Sequence, residues 1–184
     1  MAQNGQRHTI IALVQDKPGV LTRVASLFRR RGFNIASLAV GKSEQTGLSR
    51  MTFVVNGDED TVNQVTKQLD KLIDVIHVFD ISGEEMVARE LALIKVKTTP
   101  GSRGEIIQIV HLFRADIVDV GSQSLVIEIT GEETKINALY NLLQPFGVLE
   151  MLRTGLVAMV RGQSDGRTSD SVGFDRSTNG AGGV

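Results

Sequence analysis

The residues with chemistry to offer are few and lie close together near the amino-terminal end. Asp16-Lys17-Pro18-Gly19 precedes an apolar-striped run, and a lone Asn34 follows that run. A Pro-Gly break just ahead of a helix leaves the opening backbone N–H groups, around Gly19, Val20 and Leu21, unpaired and partially positive, which suits a small carboxylate. Gly19 keeps that approach clear of a Cβ, and Pro18 fixes the direction of entry. Asn34 opens what reads as the neighbouring strand, and its amide offers a donor and an acceptor expected within reach of the same spot. Asp16 can accept from an ammonium group, while Ile35, Ala36 and Leu38 supply an aliphatic wall. Together these residues suit capture of an amino acid rather than bond-making chemistry. The plainer reading of the same residues is a turn and a strand-edge Asn.

Catalytic alternatives lack their parts. The three histidines, His8, His77 and His111, are far apart and follow no metal-ligand spacing, and the absence of Cys removes thiolate ligands and thiol nucleophiles. No phosphate-binding loop or dinucleotide fingerprint occurs, and Gly101-Ser102-Arg103-Gly104-Glu105 reads only as a loop. Arg29, Arg30 and Arg31 read as cations favoured at a helix C-terminus. With 20 basic against 21 acidic side chains the net charge is -1, so no polyanion or anionic membrane is indicated. RNA binding would need aromatic residues on the central strands, where only Phe53 stands among aliphatics. No apolar run approaches the roughly 20 residues of a membrane span, and the first residues lack a signal-peptide core, so a soluble, cytoplasmic chain is expected.

The elements that must position the site follow from apolar periodicity. His8 to Val14 is rich in branched residues and reads as a strand, broken by the Pro-Gly turn. Val20, Val24, Leu27 and Phe28 then recur at helical spacing, and Gly32 stands where a helix stop belongs. Asn34 to Lys42 and Leu48 to Asn56 are extended runs joined by a loop containing Gly47. A second helix carries Val62, Val65, Leu69 and Leu72, with Asp58, Glu59 and Asp60 at its positive end, and Asp74 to Ile81 closes the unit as a strand. The order β-α-β-β-α-β is the ferredoxin-like arrangement.

That order occurs twice. Glu90 to Lys97 reads as a strand, a second Pro-Gly break follows at Pro100-Gly101, and Ile106, Val110 and Phe113 form a helical stripe. Further on, Val62, Val65 and Leu69 superimpose on Ile136, Leu139 and Leu143 at a constant shift. The expected fold class is therefore α+β, with tandem ferredoxin-like domains at 8–82 and 83–161 and a hinge near Ser82 to Arg89. Residues 162–184 are crowded with Gly, Ser, Thr and Asp and read as a disordered tail.

The copies differ in how greasy their sheets are. In the second, Leu125, Ile127 and Ile129 alternate with Ser124, Glu128 and Thr130, so one face can be wet. In the first, both parities are apolar: Ile10, Ala12 and Val14 against Ile11 and Leu13, and Ala36, Leu38 and Val40 opposite Ile35 and Ala39. Helices cover one face only in this architecture, so the other needs a further layer from the second copy, a second protomer or another protein. A dimer at least is expected.

Asp16 to Val40, followed by Gly47 to Val55 and Gln68 to Val78, closely resembles the small regulatory subunit of acetolactate synthase, also called acetohydroxyacid synthase. The similarity extends over residues 8 to 161 and includes Ala88 to Val96. It implies an amino-terminal ACT domain, an amino-acid-binding ferredoxin-like module, followed by an ACT-like domain. It further implies a non-catalytic chain without a cofactor of its own. Such a chain activates a large catalytic subunit that carries thiamine diphosphate, Mg2+ and FAD, and confers feedback inhibition by valine. In that family the effector lies between two amino-terminal ACT domains, held at the positions of Asp16, Lys17, Pro18, Gly19, Val20 and Leu21 and of Asn34, with Ile35 and Ala36 lining the pocket. Some members carry Asn at the position of Asp16, and the tail after Gly162 is longer than many have. Two other classes share parts of the pattern. One is a free-standing amino-acid sensor; the other is a small acylphosphatase-type enzyme, which would need an Arg in the loop where this chain has Lys17.

Overall fold

The computed structural model describes residues 6–162. Strand β1 (Gln6–Gln15), helix α1 (Val20–Arg31), strands β2 (Ile35–Lys42) and β3 (Leu48–Gly57), helix α2 (Glu59–Leu69) and strand β4 (Val75–Asp80) form the first unit. Its sheet has the order β2-β3-β1-β4 with every neighbour antiparallel. The second unit comprises β5 (Met86–Lys97), α3 (Arg103–Leu112), β6 (Asp116–Val120), β7 (Ser124–Gly131), α4 (Glu133–Leu143) and β8 (Val148–Arg153), in the order β6-β7-β5-β8, with β9 (Val157–Val160) paired to the start of β5. Tandem ferredoxin-like domains are thus present. The tail expected over 162–184 lies, beyond Gly162, outside the described residues.

Each helix forms where apolar spacing gives it a face to bury. Val20, Val24, Leu27 and Phe28 of α1 and Val62, Val65 and Leu69 of α2 pack on Ile10, Ala12 and Val14 of β1, with the Phe28 ring stacked on Phe53 at 5.3 Å. The second core repeats this with Ile106, Val110, Ile136, Leu139 and Leu143 over Ile94, Ile127 and Ile129. Helix α1 ends at Gly32, whose φ of 70° lets its N–H turn back to the carbonyls of Phe28 and Arg29. Arg29, Arg30 and Arg31 occupy the last turn, exposed, where the dipole favours them.

Four local expectations are corrected. The segment expected to act as a hinge turns tightly at Ile81–Glu84, and from Met86 it is already strand, held against β9 from Met86↔Val160 to Arg89↔Val157. Gly101 to Glu105 is not all loop, because α3 starts at Arg103, whose guanidinium donates to Gly121 O at 2.8 Å and Ser122 O at 3.1 Å. In β2 the alternation slips. A bulge between Ile35 and Ser37 places Ile35 and Leu38 on the same helix-facing core, rather than on opposite faces. Strand β9 was not anticipated: at four residues it is too short for alternation to identify.

Strand β9 also supplies part of the missing layer. Ala158 and Val160, with Met86 and Ala88 of β5, cover Ile11, Phe79 and Ile81 on the helix-free face of the first sheet. Among the described residues no helix is long and apolar enough to cross a membrane.

Candidate effector site

The turn before α1 has the backbone expected of a carboxylate receptor. Gly19 sits in the left-handed region at φ 88°, where only Gly is at ease, and space is open where a Cβ would project. The first regular helical bond runs from Arg23 N–H to Gly19 O at 3.0 Å, while Val20 N–H reaches only Lys17 O, at 3.4 Å. The N–H groups of Leu21 and Thr22 precede that first bond and point out of the helix start. No acidic side chain occupies this first turn, so the positive end of the dipole is left for a ligand.

The turn is anchored from both sides. Asp16 N–H donates to Gly47 O at 2.8 Å and Gln15 N–H to Asp74 O at 2.8 Å, which fixes it to the β2–β3 loop and to the start of β4. Arg23, one turn into α1, is ion-paired with the buried Asp74, so its charge is already engaged beneath the turn. Asp16, Lys17, Pro18 and Gly19 are all exposed; Val20 is buried in the core, and Leu21 lies 47% exposed beside the open amides.

Asn34 is placed differently from the expectation. Strand β3 lies between β2 and β1, so Asn34 does not open the strand next to the turn. Its neighbour Ile35 pairs with Val55, and Val55 pairs with His8, near the beginning of β1. Gly19 follows the opposite end, where Gln15 pairs with Leu48. The seven steps from His8 to Gln15 span about 23 Å of strand, so within one chain Asn34 and the Gly19 amides stand at opposite ends of the sheet. The physical reason is that α1 runs back antiparallel to β1 and delivers the chain to the far end. Asn34 and Ala36 are exposed there, and Ile35 turns partly into the core.

Strand β2 is an edge strand, with β3 on one side only. An antiparallel second copy of that edge, centred on Leu38 and Ala39, would carry Asn34 of one copy toward the end of the sheet at which the other copy holds Gly19. In such a pairing the site's parts, separated in one chain, would approach each other across a two-fold axis.

Sequence reasoning missed the residues that fasten β2 from behind. Leu156 N–H donates to Ser37 Oγ at 2.8 Å, and Gly155, at φ 85°, lies against Leu38 O. The only signal was a Gly in an otherwise apolar stretch, which by itself marks any turn. Among the described residues no group of His, Cys, Asp and Glu is arranged to hold a metal.

Comparison with known proteins agrees across both units. Residues 10–77 match the model described as AHAS small subunit-like ACT domain, and residues 89–162 match that of the small subunit of acetolactate synthase. The chain is 56% identical over 156 residues to a probable acetolactate synthase small subunit of Archaeoglobus fulgidus, covering 85% of this chain and 98% of that one. It is 54% identical to the acetolactate synthase small subunit of Mycobacterium leprae, covering 84% and 92% respectively. The crystal structure of the acetolactate synthase small subunit from Thermotoga maritima superimposes with a TM-score of 0.81 at 45% identity, covering 86% of this chain and 99% of that one. Matched over both domains, this chain belongs to the acetolactate synthase small-subunit family.

Proposed function

We propose that the chain is the regulatory subunit of acetolactate synthase in branched-chain amino acid biosynthesis, and that it binds valine between two copies of its first domain. The effector's carboxylate docks on the open amides following Gly19. Asn34 of the other copy hydrogen-bonds its polar end, Asp16 accepts from the ammonium group, and Ile35, Ala36 and Leu21 bound the aliphatic side chain. Lys17 adds positive charge near the carboxylate, and Pro18 and Val20 hold the turn in place. The observation that carries this reading is the separation of Asn34 from Gly19 within one chain, together with the unpaired β2 edge that allows a second copy to reunite them.

In this reading the catalytic subunit carries thiamine diphosphate, Mg2+ and FAD, and the small subunit acts on it in the cytoplasm without chemistry of its own. Valine stabilises one arrangement of the dimer and thereby alters how the dimer holds the catalytic subunit. Only a difference in valine affinity between arrangements can do this, and tenfold inhibition corresponds to about 1.4 kcal/mol of coupling. Calorimetric titration of valine, leucine and isoleucine into the isolated chain, followed by assay with the catalytic subunit, tests the proposal. Saturable binding of valine with matching inhibition supports it; no heat from any of the three contradicts it.

A further inference from the structure

The helix-free face of the second sheet carries an apolar strip with nothing over it. Along β5, Ala92, Ile94 and Val96 belong to the core beneath α3 and α4, so by alternation Leu91, Leu93 and Lys95 lie on the opposite face. The register with β8 sets Leu152 beside Leu93 and Glu150 beside Lys95, and the register with β7 sets Val126 on the other side of Lys95. Leu152 is 63% exposed, Leu91, Leu93 and Val126 are half-buried, and none of the four joins a core among the described residues. On the first sheet the corresponding face is covered at Ile11, Phe79 and Ile81 by residues of β5 and β9. The second sheet has no such cover. Lys95 and Glu150 are exposed cross-strand neighbours of opposite sign, yet neither forms an ion pair among the described residues. Exposed leucine beside two unengaged charges marks a contact surface.

The face is complementary to itself. A two-fold axis lying between β5 and β8, parallel to both, lays β5 of one copy over β8 of the other. Leu93 then stands over Leu152 of the other copy and Lys95 over its Glu150, and the same two contacts recur on the far side of the axis. Shifting the axis onto β5 would set Lys95 on Lys95, and shifting it onto β8 would set Glu150 on Glu150, so like-charge repulsion selects the position between them. Sheet faces can meet in this way without rearrangement, about 10 Å apart and with strands within roughly 30° of each other. Each row of the face holds both halves of its own contact, a match that an unrelated partner gives no reason to expect.

We infer that a second copy of this chain docks on this face, so that two second domains stack with their sheets inside and their helices outside. No residue of β2 or of the Gly19 turn takes part, so the contact adds an association step to the β2-edge pairing and does not depend on the effector reading. With both contacts in place, dimers join in pairs.

The test measures the mass of the full chain by sedimentation velocity over a range of concentrations. It compares wild type with Leu152→Asp, Lys95→Glu and the double variant Lys95→Glu/Glu150→Lys, all at exposed positions. Each of the first two variants is expected to weaken the doubling step about tenfold or more, and the double variant, which exchanges both charges, is expected to restore it. Raising the salt concentration should weaken the same step in wild type. Single variants that stop at dimers support both contacts, whereas ones that fall to monomers support this contact and count against the β2-edge pairing. One mass for wild type and both variants at every concentration overturns the inference, and so does a double variant as dissociated as Lys95→Glu. Loss of binding to the catalytic subunit in variants whose own mass is unchanged also overturns it, and assigns the face to that partner.

Discussion

Leu156 N–H and Ser37 Oγ lie 2.8 Å apart, and that bond joins the loop entering the last strand of the second domain to the middle of β2 in the first. The same strand carries Ile35 and Ala36 at its beginning and the unpaired edge along its length, so the strand proposed to bind the effector and the interdomain fastening are one element. The two domains are further connected by the ion pair Arg7–Glu133, which is half exposed and contributes less than about 1 kcal/mol.

Gly155→Ala should therefore destabilise the chain far more than its surface position suggests. An added Cβ would stand 2.9 Å from Leu38 O and 3.0 Å from Ser37 Oγ, at a φ of 85° that L-residues resist. Strain and steric contact together predict a loss of roughly 2–4 kcal/mol, read as a lower thermal midpoint. Gly41→Ala, with ordinary φ and open space, should leave the midpoint unchanged or slightly raised.

Asp58→Ala should lower stability in a pH-dependent way. Asp58 caps α2, accepting from Thr61 N–H at 2.8 Å and Thr61 Oγ1 at 2.6 Å, and these bonds hold its carboxyl below the usual aspartate range. A depressed native value means that the contribution is complete above the unfolded value, near about pH 4, and is lost as pH falls through the lower native value. Denaturant midpoints of wild type and variant should differ at pH 7 and converge under strong acid. A difference that persists undiminished at the lowest pH would contradict the cap.

Much of this was legible in the sequence because the signals were local. The stripe of α1, the stop at Gly32, the acidic start of α2 and the duplicated order each depend on residues within a few turns of one another, and each is found as expected. What depended on chain path was not legible. Composition cannot tell that α1 returns the chain to the far end of β1, so Asn34 was expected beside the turn when it stands about 23 Å of strand away. The bulge at Ala36, which puts Ile35 and Leu38 on one face, leaves no composition signal. Nor could the closing partner of the greasy first sheet be chosen in advance, since Ala158 and Val160 come from a strand too short to recognise.

Gly19→Asp should abolish valine inhibition while leaving activation of the catalytic subunit intact. The position is exposed, and no atom lies within 4 Å of the new Cβ, so the structural cost is the left-handed backbone alone, about 1–2 kcal/mol. The added carboxylate stands where the effector's own carboxylate should dock. Inhibition of the reconstituted variant at the wild-type valine concentration would move the pocket elsewhere.

A site shared between two copies is tested most directly by mixing two variants that each fail alone. Gly19→Asp and Asn34→Ala homodimers should both bind no valine, since every site in either contains one damaged half. In the purified heterodimer one site combines both damaged halves, and the other combines the intact Gly19 turn of one copy with the intact Asn34 of its partner. Calorimetry should then recover one valine per heterodimer at close to wild-type affinity. A heterodimer that binds none would contradict a site built from both copies.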